Sequence, residues 1–470
     1  MINDRTKAVL PIFGILFMVD FLNCLDASIV NVALPVILKH FNILSGSDGS
    51  WLIFGYALGL SSLILPFCKF GNNGRLRKIG VWGSILLLIT SVLCGLSADF
   101  VMLIVARIAQ GAASAMIAAT VPIVLLDYVP KESKGVGLAV TGASTGLALV
   151  VGPTIGGIIA HLFDWTWIFY LNVPLCIILL YLYMAYLPKD SGKEKNRDPS
   201  IIGTIASLLF FASLLTLVED LGDPDLTFRG RLIAAAIAIV SAVLLIRSAK
   251  KDTDKAILAT RMVMNREYMM VTIAFLLTTM VAGGLNFMAP YLMQITWGMS
   301  PSECGLYLII CSVAMISVVI FVGKWCDKSG AKNPSLTAMI VRLITCGLGV
   351  ILAPAVGIPV LVVYLVILGI GHAFSGTAQP TRMVHHATPG FKVEGTGFML
   401  VINYFAIAAG SALFAMILGL VTGGVETPDS VFEAFKVMSL ASAAIVIAAT
   451  VLTLMVRNIV VDKDGAVVEN

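Results

Sequence analysis

Apolar residues run along this chain in long blocks separated by short polar turns, and they do not alternate with polar residues at a period of two. A block of about 20 apolar residues is long enough to cross a bilayer as a helix. Fourteen blocks qualify, near residues 8–34, 50–67, 79–98, 101–126, 136–162, 166–187, 201–219, 231–248, 268–294, 303–322, 336–355, 357–378, 395–421 and 434–456. In hydrocarbon every backbone N–H and C=O must pair within the protein, so these blocks predict helices. The expected fold class is an all-α integral membrane protein. The first block begins after Arg5 and Lys7 and outruns the apolar core of a leader peptide, so no cleavage is expected.

Two segments interrupt the pattern more strongly than the rest. "PKDSGKEKNRDPS" (188–200) and "RSAKKDTDKAILATRMVMNRE" (247–267) bracket a single pair of helices. The expected plan is a six-helix bundle over 1–187, linkers and an inserted pair over 188–268, and a second six-helix bundle with a short tail over 269–470.

Composition supports a membrane protein. The chain is 59% hydrophobic and 12% charged, against about 25% charged in soluble domains. Charge placement then orients it. With the N-terminus in the cytoplasm, inner segments hold 25 of the 31 Lys and Arg and outer loops only 4, with Arg107 and Arg342 inside spans. That bias places both termini in the cytoplasm of a multi-pass protein of the cytoplasmic membrane. The eight cysteines are scattered through apolar runs without Cys-x-x-Cys spacing, so neither a metal nor a disulfide framework is expected. No cofactor is expected beyond a proton as coupling ion. Small molecules, protons and lipid are the expected partners, with no nucleic acid, and the protein is expected to be a monomer.

An internal repeat follows. "CKFGNNGRLRK" (68–78) and "GKWCDKSGAKN" (323–333) each join the second and third helix of a six-helix half. At a constant offset Lys69 aligns with Lys324, Asn72 with Asp327, and Arg77 with Lys332. Two related halves with a substrate path between them are a common transporter design. The second copy resembles the loop signature of the major facilitator superfamily, and "LDASIVNVALP" (25–35) is similar to the first-helix motif of its fourteen-helix drug:proton antiporters. "RIAQGAASA" (107–115), "GLALVVGPTIGG" (146–157), "WTWIFYLNVP" (165–174) and "PYLMQITWGMSPSECGL" (290–306) resemble further motifs of that branch in order. The resemblance implies two six-helix bundles plus an inserted pair, and alternating access. It implies gating by Lys69, Asn72, Arg77, Gly323, Asp327 and Lys332. Asn72 stands where the family has an aspartate, which implies a weaker latch. The fifth-helix motif implies antiport, with Gly146, Gly152, Pro153, Gly156 and Gly157 forming a packing and gating seam.

The candidate chemistry lies in the first and fourth helices. At 100° per residue Asp20, Asn23 and Asn31 fall within roughly 80° of one another, with Asp26 about 60° from Asn23. A polar stripe in a spanning helix belongs against a water-filled cavity rather than lipid. Asp20 and Asp26 are therefore candidate proton carriers, against the plainer reading of packing aspartates. Arg107 does not deprotonate and must find partners inside the protein; Gln110, one turn on, is placed to share its network. The resemblance implies a part for Arg107 in proton coupling. Asn286, Tyr291 and Gln294 on the ninth helix and Asn403 and Tyr404 on the thirteenth are candidate cavity residues. His372 is expected to be a hydrogen-bonded core histidine, and His385 and His386 to be solvated in a cytoplasmic loop.

The expected function is proton-coupled export of small amphipathic organic molecules or drugs, the acidic first helix favouring cations. A dedicated exporter of one endogenous metabolite and an uptake symporter remain open. A membrane sensor or enzyme is the other class, but no Gly-rich phosphate loop, HExxH or GxSxG is present.

Overall fold

The computed structural model describes residues 4–43, 46–130, 133–190, 199–222, 227–251, 257, 260–351, 357–387, 391–423, 427–461 and 467–469. Each apolar block folds as a helix. The helices are α1 Asp4–His40, α2 Gly46–Phe70, α3 Leu76–Gly95, α4 Phe100–Ala118, α5 Lys134–Leu162, α6 Asn172–Tyr186, α7 Ile201–Gly222 and α8 Phe228–Lys251. They continue with α9 Arg266–Trp297, α10 Pro301–Ser329, α11 Lys332–Ile351, α12 Ile358–His386, α13 Lys392–Thr422 and α14 Pro428–Met455. A small antiparallel ladder, β1 Ile459–Val461 with β2 Val467–Glu469, follows α14.

Among the described residues, twelve segments are long and apolar enough to cross a membrane. One of them, Trp51–Gly95, takes in most of α2 and all of α3. A π-helical turn, Gly71–Arg75, joins the two across a kink, with Gly74 at φ 79°. That left-handed backbone excludes most L side chains and suits glycine. In the other copy of the repeat Gly330, which ends α10, also has a positive φ of 78°, although it aligns with Arg75 and not with Gly74.

Helix starts follow the expected capping chemistry. Asp99 accepts from the Met102 backbone N–H at 2.8 Å to start α4, and Ser300 with Glu303 forms a capping box on α10. Inside the helices, hydroxyls return their proton to the preceding turn, as Thr278 does to the Ala274 carbonyl at 2.8 Å. This lets a polar residue sit in an apolar helix without an unpaired donor.

By contact the chain divides into two compact units. Unit 1 takes Met1–Leu217, Asp225–Asn265 and Ala387–Val401; unit 2 takes Val218–Pro224, Arg266–His386 and Ile402–Asn470. In unit 1, Ile29, Val30, Leu52, Leu103, Trp165 and Phe169 form a core between α1, α2, α4 and the turn before α6. In unit 2, Leu285, Met288, Leu365, Leu368, Phe435 and Met438 form a larger one between α9, α12 and α14. Helix α8 is the least buried of the candidate spans. Only 6% of the apolar window of α8 is buried, so nearly all of that face is left for lipid. Its partner α7 touches α2 through Ser207, which donates to the Ser62 carbonyl at 3.4 Å.

Candidate functional site

Two glycines set the geometry around Arg107. A side chain at Gly59 would run into the backbone of Ile108 and Ala112, and one at Gly111 would strike the Tyr56 carbonyl. α2 and α4 therefore cross at backbone contact, the usual role of small residues between membrane helices. The crossing lays the Arg107 guanidinium 4.5 Å from the centre of the Tyr56 ring. It also brings the Leu52 carbonyl to accept from Arg107 Nε at 3.2 Å.

The rest of the cluster assembles on that frame. Arg107 Nη1 donates to Asp26 Oδ2 of α1 and, at 2.8 Å, to Gln110 Oε1. Gln110 Nε2 donates to Asp26 Oδ1 at 3.0 Å and to Ser91 Oγ of α3 at 2.9 Å. Asn172 Nδ2, from the first turn of α6, donates to Asp26 Oδ1 at 2.6 Å. Arg107 is 1% exposed and Asp26 2%, so the ion pair lies in a low-dielectric interior. Such a pair survives because its neighbours supply the hydrogen bonds that water would have made. Asp26, Arg107 and Gln110 thus come together as one network. Asn172 and Ser91 belong to it and are not singled out by the sequence reading. Asn172 is a lone amide in an apolar run, a usable signal, whereas Ser91 resembles every other membrane serine.

The polar stripe of α1 faces elsewhere. Asp20 and Asn23 are buried, so this conformation encloses the stripe in protein instead of opening it to solvent. Among the described residues Asp20 makes no hydrogen bond or ion pair, and Cys24 and Tyr183 are titratable groups beside it. Both side-chain polar atoms of Asn23 also lack partners there. Asn31 lies on the same helix with its side chain outside the described residues. Next to the stripe, α5 packs tightly on α1. A side chain at Gly152 would overlap Ser28, and one at Gly156 would come within 2.7 Å of Ile29. Ser28 Oγ and Ser144 Oγ stitch the seam by donating to the Ala148 and Phe17 carbonyls at 3.1 and 2.6 Å. Gly146 is buried on the same helix; the side-chain positions of Pro153 and Gly157 lie outside the described residues.

The repeated turns match in detail. Arg77 Nη2 donates to the Met184 carbonyl near the end of α6 at 2.7 Å, and Lys332 Nζ donates to the Leu454 carbonyl near the end of α14 at 3.2 Å. Asp190 accepts from the backbone N–H of Arg77 and Lys78, as Asn458 does from that of Lys332. Each turn is thus bound to a helix of its own unit. Lys69 forms a buried ion pair with Glu394 at 3.6 Å, both within unit 1, and Asn72 is exposed. Gly323 is buried and Asp327 half-buried at the end of α10.

In unit 2 the fully buried Arg342 of α11 donates through Nη2 to His372 Nδ1 at 3.0 Å and to Ser375 Oγ at 3.1 Å. His372 Nε2 bonds Asn286 Oδ1 at 3.0 Å. His372 is a hydrogen-bonded histidine, as expected. Tyr291 packs half-buried against the unit 2 core, Gln294 is exposed, and Asn403 and Tyr404 are half-buried on α13. None of these four joins the Arg342 chain through a described hydrogen bond. One expectation is corrected. His385 and His386 are not in a loop, because α12 continues through Pro380 to His386, and His386 is buried. All eight cysteines are buried thiols.

Residues 16–411 match the family model of the Major Facilitator Superfamily. The riboflavin transporter RibZ of Clostridioides difficile (strain 630) is 28% identical over 402 residues, 84% of this chain and 85% of that protein. The multidrug efflux pump SdrM of Staphylococcus aureus (strain N315) is 24% identical over 424 residues, 89% of this chain and 92% of that protein. Among solved structures, the human organic anion transporter TETRAN superposes with a TM-score of 0.63 at 14% identity, covering 94% of this chain and 99% of that one.

Proposed function

The chain belongs to the Major Facilitator Superfamily and is a membrane transporter, and on that footing we propose that it is a proton-coupled antiporter. It exports small amphipathic organic molecules or drugs across the cytoplasmic membrane by alternating access. The observation that carries this reading is the buried ion pair of Asp26 and Arg107, in which both carboxylate oxygens of Asp26 accept hydrogen bonds. A proton delivered to Asp26 removes the charge that Arg107 pairs with, and a buried guanidinium without a counter-charge is costly. Arrival of the proton is thereby tied to separation of α1 from α4. Asp20, six residues earlier on α1 and free of described polar partners, is the second carrier.

The rest of the topology goes with that reading. Fourteen crossings follow if the 45-residue candidate is divided at its kink and α5 is added to the twelve. Two six-helix bundles then flank the inserted pair, with both termini in the cytoplasm, and the protein works as a monomer. A second reading, a dedicated exporter of one endogenous metabolite, has in its support the match to a riboflavin transporter at 28% identity. Proteoliposomes with a trapped pH dye test both. Ligand-driven proton release that is lost in Asp26→Asn or Asp20→Asn supports the antiporter and identifies its carrier. Wild-type flux in both variants rules out this coupling, and response to one compound in a broad panel selects the dedicated exporter.

A further inference from the structure

Arg342 lies near the middle of α11, about 14 Å from either end. Among the described residues its guanidinium lacks the counter-charge that Asp26 gives Arg107. Its described partners, His372 and Ser375, are neutral, and the titratable groups beside it include Cys311, Cys346 and Tyr364, all uncharged at neutral pH. Nε and Nη1 have no partner among the described residues, though the side chain is 0% exposed. α11 and α12 carry no carboxylate; of those on α9, α10 and α14, Glu267, Glu303, Asp327 and Asp429 stand in end turns and Glu433 in the second turn of α14. A guanidinium stays charged, so what the site lacks is a negative charge. A buried water satisfies a donor but does not balance a charge.

The neighbouring polar atoms point the same way. Arginine has donors only, so His372 Nδ1 must accept from it, and the imidazole proton sits on Nε2 and is donated to Asn286 Oδ1. Asn286 Nδ2 is left as a further donor without a described partner. The chain therefore offers donors at both ends and no open acceptor. It also leads outward. His372 and Asn286 are half-buried, and Gly376, one turn beyond His372, is exposed with nothing within 4 Å of where a side chain would start.

We propose that Arg342, with His372 and Asn286, binds the acidic group of the transported molecule, so that the substrates include organic carboxylates. This rests on the transporter reading and deepens it, because it assigns a substrate class to residues that the proton path leaves unused. The probe is sodium 2-naphthoate, with 2-naphthamide as its neutral twin and sodium chloride at equal ionic strength. The sample is full-length protein in phosphatidylcholine nanodiscs, and the readout is the melting temperature. Naphthoate should raise the wild-type midpoint by roughly 2–4 °C over both controls. Arg342→Gln should lose that shift while melting no lower than wild type without the probe. Asn286→Asp, which brings its own carboxylate to the chain, should lose it too.

A shift that persists in both variants overturns the assignment, as does no shift in wild type. An equal shift with chloride overturns it in favour of an inorganic anion. A large loss of probe-free stability in Arg342→Gln makes the arginine structural and also sinks it, unless Asn286→Asp folds normally and loses the naphthoate shift. No proton gradient enters this assay, so its failure is separable from failure of antiport. Naphthoate binding with no proton release would keep the site and remove the coupling.

Discussion

Arg107 and Arg342 are the same residue in comparable places, each buried in a spanning helix, yet their surroundings differ in kind. Arg107 meets a carboxylate, an amide, a carbonyl and an aromatic face, and the carboxylate it meets takes two further amide donors. Arg342 meets an imidazole and a hydroxyl and keeps two nitrogens unpartnered among the described residues. The first arrangement is self-sufficient at rest and changes only if something removes the charge on Asp26. The second is incomplete at rest and is improved by anything that brings a negative charge. One unit thus holds an internal pair, and the other holds half of a pair.

The contrast can be broken most severely at Asp26. Asp26→Leu leaves Arg107 buried without its counter-charge, and the thermal stability of the purified protein should fall by about 3–5 kcal/mol. Adding Arg107→Met to that variant should recover much of the loss, because the unpaired charge goes with it; additive losses would mean the two side chains do not act as a unit. Asn172→Ala comes next. It deletes one charge-assisted donor to Asp26 while leaving the ion pair, at a cost of about 1.5–3 kcal/mol by the same measurement.

The repeated turns supply a control in which the two units should behave alike. Arg77→Ala and Lys332→Ala each remove one bond to a carbonyl at a helix end and should cost about 0.5–1 kcal/mol in denaturant titrations, Arg77 the more of the two. The smallest effect is expected at Arg342. Arg342→Gln should leave ligand-free stability within about 0.5 kcal/mol of wild type, against the several lost at Asp26. A cost like that of Asp26→Leu would erase the distinction between the two arginines.

Much of this was legible beforehand, for reasons that differ by residue. Helices α1 to α14 follow from uninterrupted apolar runs, because a bilayer admits few other structures. Their ends are less legible. α12 runs on through Pro380 to His386, since Arg382 there finds acceptors in the Thr453 and Val456 carbonyls at 2.8 and 3.1 Å. No apolar count can anticipate that. Arg107 and Gln110 are legible as neighbours because they are one turn apart. Asn172 is not, because it lies 146 positions from the aspartate it serves. Whether a buried arginine has a partner depends on contacts distant in sequence, so Arg107 and Arg342 look alike until the fold is known. The stripe of Asp20 and Asn23 was legible as a face, but its enclosure depends on how neighbouring helices close over it.

The clamps at Arg77 and Lys332 also have a mechanical side. A turn held by both its backbone and its side chain is stiff and makes a poor hinge, so the joins between α2 and α3 and between α10 and α11 should move as part of their own halves. Compliance has to reside where the helical ladder is already interrupted. α4 offers such a place directly beyond Ala118, where a single turn containing Pro122 is followed by the π-helical turn Val124–Tyr128. Any bending that accompanies transport would then be concentrated roughly three to five turns beyond Gln110, on the same rod that carries Arg107 and Gln110, so that the charge state of the Asp26 network bears on how easily it gives.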